Sequence, residues 1–234
     1  MILMVNSDYY RMDLILAMDL KSGLVVHGMK GDRASYRPLD WGLSPTADPA
    51  GYVEAIAPRF LYIADLDRIG RTGDHDREIF RCASMVDTCY ADRGVSCPDE
   101  FIEGNNIVNV VGTETAGDDL SAYGSGFLSI DVRDGRVIPG GLDPVVLLEL
   151  AEDWAFEGCI ILDISAVGTG SGIDAGRLEQ LRSAYGRSLF FGGGVSGTRD
   201  LSVLEQSGFD GAIVATALHR GRIPAESIRR GEWS

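Results

Sequence analysis

Four short segments of this chain recur, in the same order, roughly one hundred positions downstream. Asp19-Leu-Lys-Ser-Gly-Leu-Val-Val matches Asp131-Val-Arg-Asp-Gly-Arg-Val-Ile, and Asp65-Leu-Asp-Arg-Ile-Gly matches Asp163-Ile-Ser-Ala-Val-Gly. Gly94-Val95 matches Gly194-Val195, and Val111-Gly-Thr113 matches Val214-Ala-Thr216. Each match closes a short apolar run. Eight such runs are present, at 14–19, 60–65, 85–91, 107–111, 127–131, 159–163, 188–191 and 211–214. Their β-branched, continuously apolar character suits strands buried on both faces. Helices are predicted between them at 49–57, 76–83, 98–103, 118–123, 143–156, 174–185, 198–206 and 224–229, with Asp143-Pro144 and Asp174 as helix starts. Strand–helix alternation implies a parallel sheet. Eight repeats in 234 residues favour closure of that sheet over an open, doubly wound one. The expected fold is therefore α/β, a single (β/α)8 TIM barrel. Its one domain spans 1–234, with duplicated half-barrels at about 13–123 and 124–230.

Composition narrows the function classes. Hydrophobic residues make up 45% of the chain, enough for a sizeable core. The formal charge of −14 repels phosphate backbones and anionic lipid, which argues against nucleic-acid and membrane partners. A bound phosphate has to be held by local dipoles against that field. Lys21 and Lys30 are the only lysines and both follow the first strand, which leaves a Schiff-base nucleophile few places. Cys82, Cys89, Cys97 and Cys159 form no C-x-x-C pair, and His27, His75 and His219 lack metal-ligand spacing, so no metal site is expected. The start of the chain lacks a signal-peptide pattern and no apolar run is long enough for a bilayer. The expected location is cytoplasmic.

Chemistry concentrates at strand ends. Asp19 and Asp131 end the first and fifth strands, which face each other across a closed eight-strand barrel. Two carboxylates so placed can protonate a substrate on one side and deprotonate it on the other; a lone strand-end Asp would only cap a turn. Asp65, Asp67 and Asp163 close strands two and six. They read either as substrate-orienting groups or as turn caps and partners of Arg68 or Arg71. Phe191-Gly-Gly-Gly-Val-Ser-Gly-Thr198 follows strand seven and opens a helix, and Ala215-Thr216-Ala217 follows strand eight. Loops after strands seven and eight are the usual phosphate site of such barrels, which points to Gly193, Gly194, Ala215 and Thr216. The glycine-rich loop 167–172, with Gly172, reads as a ligand loop or a connector. The long segment 31–47 reads as a lid, with Arg33 and Arg37 either reaching an anion or solvated.

The stretches 17–26, 62–67, 129–136, 191–197 and 211–218 together resemble the phosphoribosyl isomerase of histidine biosynthesis and its sister cyclase. The resemblance covers nearly the whole chain and marks it as a divergent relative. It implies Asp19 as general base and Asp131 as general acid in an Amadori rearrangement, an aldose-to-ketose conversion of a phosphorylated aminosugar. No metal or organic cofactor is implied. A cyclase or lyase step on a related phosphosugar is the first alternative, and there the family's glutaminase partner would apply. A non-catalytic barrel that binds a phosphorylated metabolite is the second. The family places Gly-rich phosphate turns after both strand three and strand seven. Here the strand-three turn reads Tyr90-Ala-Asp-Arg-Gly94, so Asp92 puts charge and bulk where amides would embrace an anion. Thr113 and Gly112 survive, and Arg93 is a candidate compensating cation. The expected substrate carries one phosphate.

Overall fold

A computed structural model describes residues 11–169 and 173–233. Eight parallel strands close on themselves: β1 (Met12–Lys21), β2 (Phe60–Asp65), β3 (Thr88–Asp92), β4 (Ile107–Gly112), β5 (Phe127–Arg133), β6 (Gly158–Asp163), β7 (Ser188–Gly192) and β8 (Gly211–Val214). Each strand pairs with the next, and β8 returns to β1 with Leu14 opposite Ala212 and Leu16 opposite Val214. The (β/α)8 TIM barrel is thus the fold.

Alternation along each strand makes two cores. Leu14, Leu16, Met18 and Leu20 point outward into the layer shared with the helices, whereas Ile15 points into the barrel. The barrel floor is aromatic: Tyr90, Phe127 and Phe190 pack with ring centroids 4.9–5.4 Å apart. These rings fill the lower end, and the cavity above them is lined by residues at the C-terminal rim of the strands.

The outer helices are α1 (Pro49–Ile56), α2 (Leu66–Ile69), α3 (Asp76–Ala83), α4 (Pro144–Ala151), α5 (Ala175–Ser183), α6 (Thr198–Gln206), α7 (Thr216–His219) and α8 (Ala225–Arg230). Asp48, Asp143 and Asp174 cap α1, α4 and α5 through their side chains. Two predicted helices are absent. The stretch 98–103 keeps only a 3-10 turn, Pro98–Glu100: Phe101 is extended, and the Asn109 side chain brackets Ile102, accepting from its N–H and donating to its carbonyl. At 118–123 the Asp119 carboxylate accepts from the Ser121 amide and hydroxyl, and this local turn leaves only Leu120–Ala122 as a 3-10 turn. The third strand also begins three residues later than the sequence suggests, after a turn at Met85 and Val86.

Among the described residues no helix is long and apolar enough to cross a membrane.

Candidate functional site

β1 does not stop at the rim. It runs on into a hairpin with Leu24–His27, which pairs in turn with Arg37–Pro38. The segment 31–47 therefore folds over the mouth, and Arg33, Tyr36 and Leu39 line the cavity beneath it. The loop after β6 meets the start of this segment: the Lys30 amide donates to the Val167 carbonyl at 2.9 Å. Gly168, at φ +75°, lies so close to the Gly28 carbonyl that no β-carbon fits. Together they roof a cavity of about 150 Å³.

Strand parity decides which carboxylates reach this cavity. Asp19, Asp92 and Asp131 share the inward face with Ile15, Tyr90 and Phe127, and all three line it. Asp131 is 3% exposed; Ser129 Oγ donates to its Oδ1 at 2.9 Å and the Glu114 amide to its Oδ2 at 3.1 Å. Asp92 accepts from the Gly94 amide at 3.1 Å and from the Tyr62 hydroxyl at 3.0 Å. Asp19 takes no hydrogen bond from the described residues. Burial pushes the Asp131 carboxyl up to about 7, with the Asp92 charge adding to it and the two hydrogen bonds opposing. Burial likewise raises Asp19 to about 6, with Arg33 opposing and Asp92 reinforcing. Asp92 itself rises to about 6 through burial, against the Gly94 and Tyr62 hydrogen bonds. Carboxyls with such values exchange protons near neutral pH, as acid–base catalysis requires.

Gly193, Gly194, Ala215 and Thr216 line the other side. Gly193 and Gly194 have φ of +92° and +77°, and a β-carbon on Gly193 would collide with the Asp163 carbonyl. Only glycine lets the turn after β7 pass this close to the Asp163 carbonyl.

Several sequence-based expectations fall away. Asp65 and Asp163 have outward parity, with Ile63 and Ile161 as their face neighbours. Asp65 is fully buried, caps α2 through the Arg68 amide and binds His75 through both its oxygens. Asp163 caps the next turn through Ser165 and Ala166, and lines a separate cavity with Asp174 and Arg177. Thr113 is not in the cavity wall; its hydroxyl accepts from the Asp131 amide at 3.0 Å and so fixes the β5 backbone. Arg93 is buried in a bidentate pair with Asp76 and also donates to the Glu100 carbonyl, so it has no reach to a ligand. Arg37 caps carbonyls of its own segment. Gly172 lies outside the described residues.

Conversely, sequence reading undervalued the lining formed by Asp92, Glu114, Tyr52, Tyr62 and His219. Parity with Tyr90 was the available signal for Asp92; nothing local announced Tyr52, which sits on a helix. Arg33 reaches the cavity but is committed to Glu114 by two hydrogen bonds of 3.0 and 2.5 Å.

The turns after β3 and β7 share one hydrogen-bond pattern. Ser96 gives its amide and hydroxyl to Glu100, and Ser196 gives the same two groups to Asp200. Gly94 and Gly194 both have positive φ. On this common frame Asp92 and Arg93 stand where Gly192 and Gly193 stand in the other turn.

Comparison with known proteins places these features in context. Residues 110–224 match the model of the family described as histidine biosynthesis protein. A protein of Thermus thermophilus named 1-(5-phosphoribosyl)-5-((5-phosphoribosylamino)methylideneamino) imidazole-4-carboxamide isomerase is 32% identical over 95% of this chain and 99% of its own. An uncharacterized protein of Methanocaldococcus jannaschii is 30% identical over 93% of this chain and 97% of its own. A Halobacterium salinarum protein with the same isomerase name is 27% identical, over 88% of this chain and 90% of its own.

Proposed function

The chain belongs to the histidine biosynthesis protein family, and on that premise we propose that it is a cofactor-independent isomerase of a phosphorylated aminosugar with a single phosphate. The observation that carries this reading is the pair Asp19 and Asp131, inward-facing at the ends of β1 and β5 in one roofed cavity. In the proposed Amadori rearrangement, protonated Asp131 gives its proton to the ring oxygen as the C1–O bond breaks. The amine nitrogen's lone pair forms an iminium with C1. Ionised Asp19 then takes the proton from C2, leaving an enolamine that tautomerises to the aminoketose. Gly193, Gly194, Ala215 and Thr216 hold the phosphate.

The Thermus relative's name carries two phosphoribosyl groups. In this chain the cavity wall near β3 and β4 carries Asp92 and Glu114, with Arg33 already neutralised by Glu114. That wall opposes a second phosphate and supports a neutral or amine-bearing far end for the substrate.

The test is turnover in a screen of phosphorylated aminosugars that includes the two-phosphate histidine intermediate. Asp19→Asn and Asp131→Asn are each expected to lose activity by about 10²-fold or more. Unchanged rates in both variants sink the isomerase reading. Efficient turnover of the two-phosphate compound sinks the one-phosphate part alone.

A further inference from the structure

Tyr52 is 1% exposed, yet it lines the cavity from α1, and its hydroxyl lies 2.8 Å from His219 Nε2. The direction of that hydrogen bond follows from the other side of the ring. The Leu43 amide donates to His219 Nδ1 at 3.2 Å, so Nδ1 must offer a lone pair. The imidazole is then neutral and carries its proton on Nε2. Burial, with His27 nearby, holds His219 down at about 4, in keeping with that state. Nε2–H therefore donates to the Tyr52 oxygen, and the phenolic proton must leave in another direction. No described residue accepts it. Trp41 packs edge-on against the His219 ring at 5.6 Å between centroids and blocks another of its flanks.

We infer that Tyr52 is a hydrogen-bond donor to the ligand and that His219 is the positioning residue that makes it one. His219 ends α7, the helix that starts at Thr216 of the phosphate cradle. The atom Tyr52 meets is accordingly an oxygen acceptor close to the phosphorylated end, such as a sugar hydroxyl or ring oxygen. The ligand class rests on the phosphosugar reading above; the direction of the hydrogen bond does not.

Two measurements test the pair. Long-range 15N NMR of the free protein reads the His219 tautomer at neutral pH. The Nε2–H form is expected, and the Nδ1–H form overturns the inference whatever the reaction proves to be. Calorimetric titration with inorganic phosphate and with ribose 5-phosphate separates the cradle from the sugar contact. Tyr52→Phe is expected to weaken ribose 5-phosphate by about tenfold while leaving inorganic phosphate unchanged. His219→Phe should imitate it, and His219→Gln, which restores an N–H donor, should recover part of the loss. Equal loss for both probes, no loss for either, or wild-type binding of phosphate without ribose 5-phosphate overturns the assignment. A wild type that binds neither probe defeats the phosphosugar reading, and with it the sugar contact, while the tautomer remains an independent result.

Discussion

Asp131 and Asp19 are raised by the same burial but sit beside different neighbours, Asp131 against Asp92 and Asp19 against Arg33 as well. The proposed mechanism needs Asp19 ionised and Asp131 protonated. The dependence of kcat/KM on pH should therefore rise through about 6 and fall beyond about 7. Asp92→Asn removes a negative charge that raises both groups, so both limbs should move to lower pH; stationary limbs would show that Asp92 does not couple to them. The same shift has a cost in stability. A carboxyl raised in the folded state binds more protons there than when unfolded, so stability declines as pH climbs from about 4 to about 7. Asp131→Asn should then raise the melting temperature at pH 8, by an amount equivalent to as much as a few kcal/mol, and raise it by clearly less at pH 5. Thermal scans at the two pH values check this. Repetition picked out Asp19 and Asp131 as a matched strand-end pair. Asp65 and Asp163 repeat just as well but face outward, and counting by twos from Ile63 and Ile161 was the physical information that repetition lacked.

Among the elements, the segment over the mouth is the most constrained. Gly42 has φ +98°, and a β-carbon there would run into the His219 ring. Gly42→Ala should destabilise the protein by roughly 1–3 kcal/mol in urea titration and weaken ribose 5-phosphate binding, because the strap can no longer dock on His219. Gly193→Ala, facing the Asp163 carbonyl, should abolish phosphate binding measured by calorimetry. Strands were readable from apolar runs, since burial on both faces leaves little ambiguity. The two missing helices were not. Asn109 and Asp119 supply side-chain hydrogen bonds that compete with helical ones, and in the case of Asn109 the partner lies seven residues away, beyond any local pattern.

At the scale of the whole molecule, closure of β8 on β1 sets the two carboxylates and the glycine turn on one rim. We propose that the matched Ser96–Glu100 and Ser196–Asp200 turns descend from one duplicated unit, of which only the β7 copy still accepts an anion. Titration with phosphate should accordingly give one bound anion per chain; two of equal affinity would contradict it. The roof has a further effect on tempo. The Lys30 amide and the Val167 carbonyl join the loops that follow β1 and β6 across part of the entrance. In the proposed reaction, a ligand that passed beneath this contact would break one backbone hydrogen bond on entry and again on release, so a substitution that loosened the contact should speed both passages.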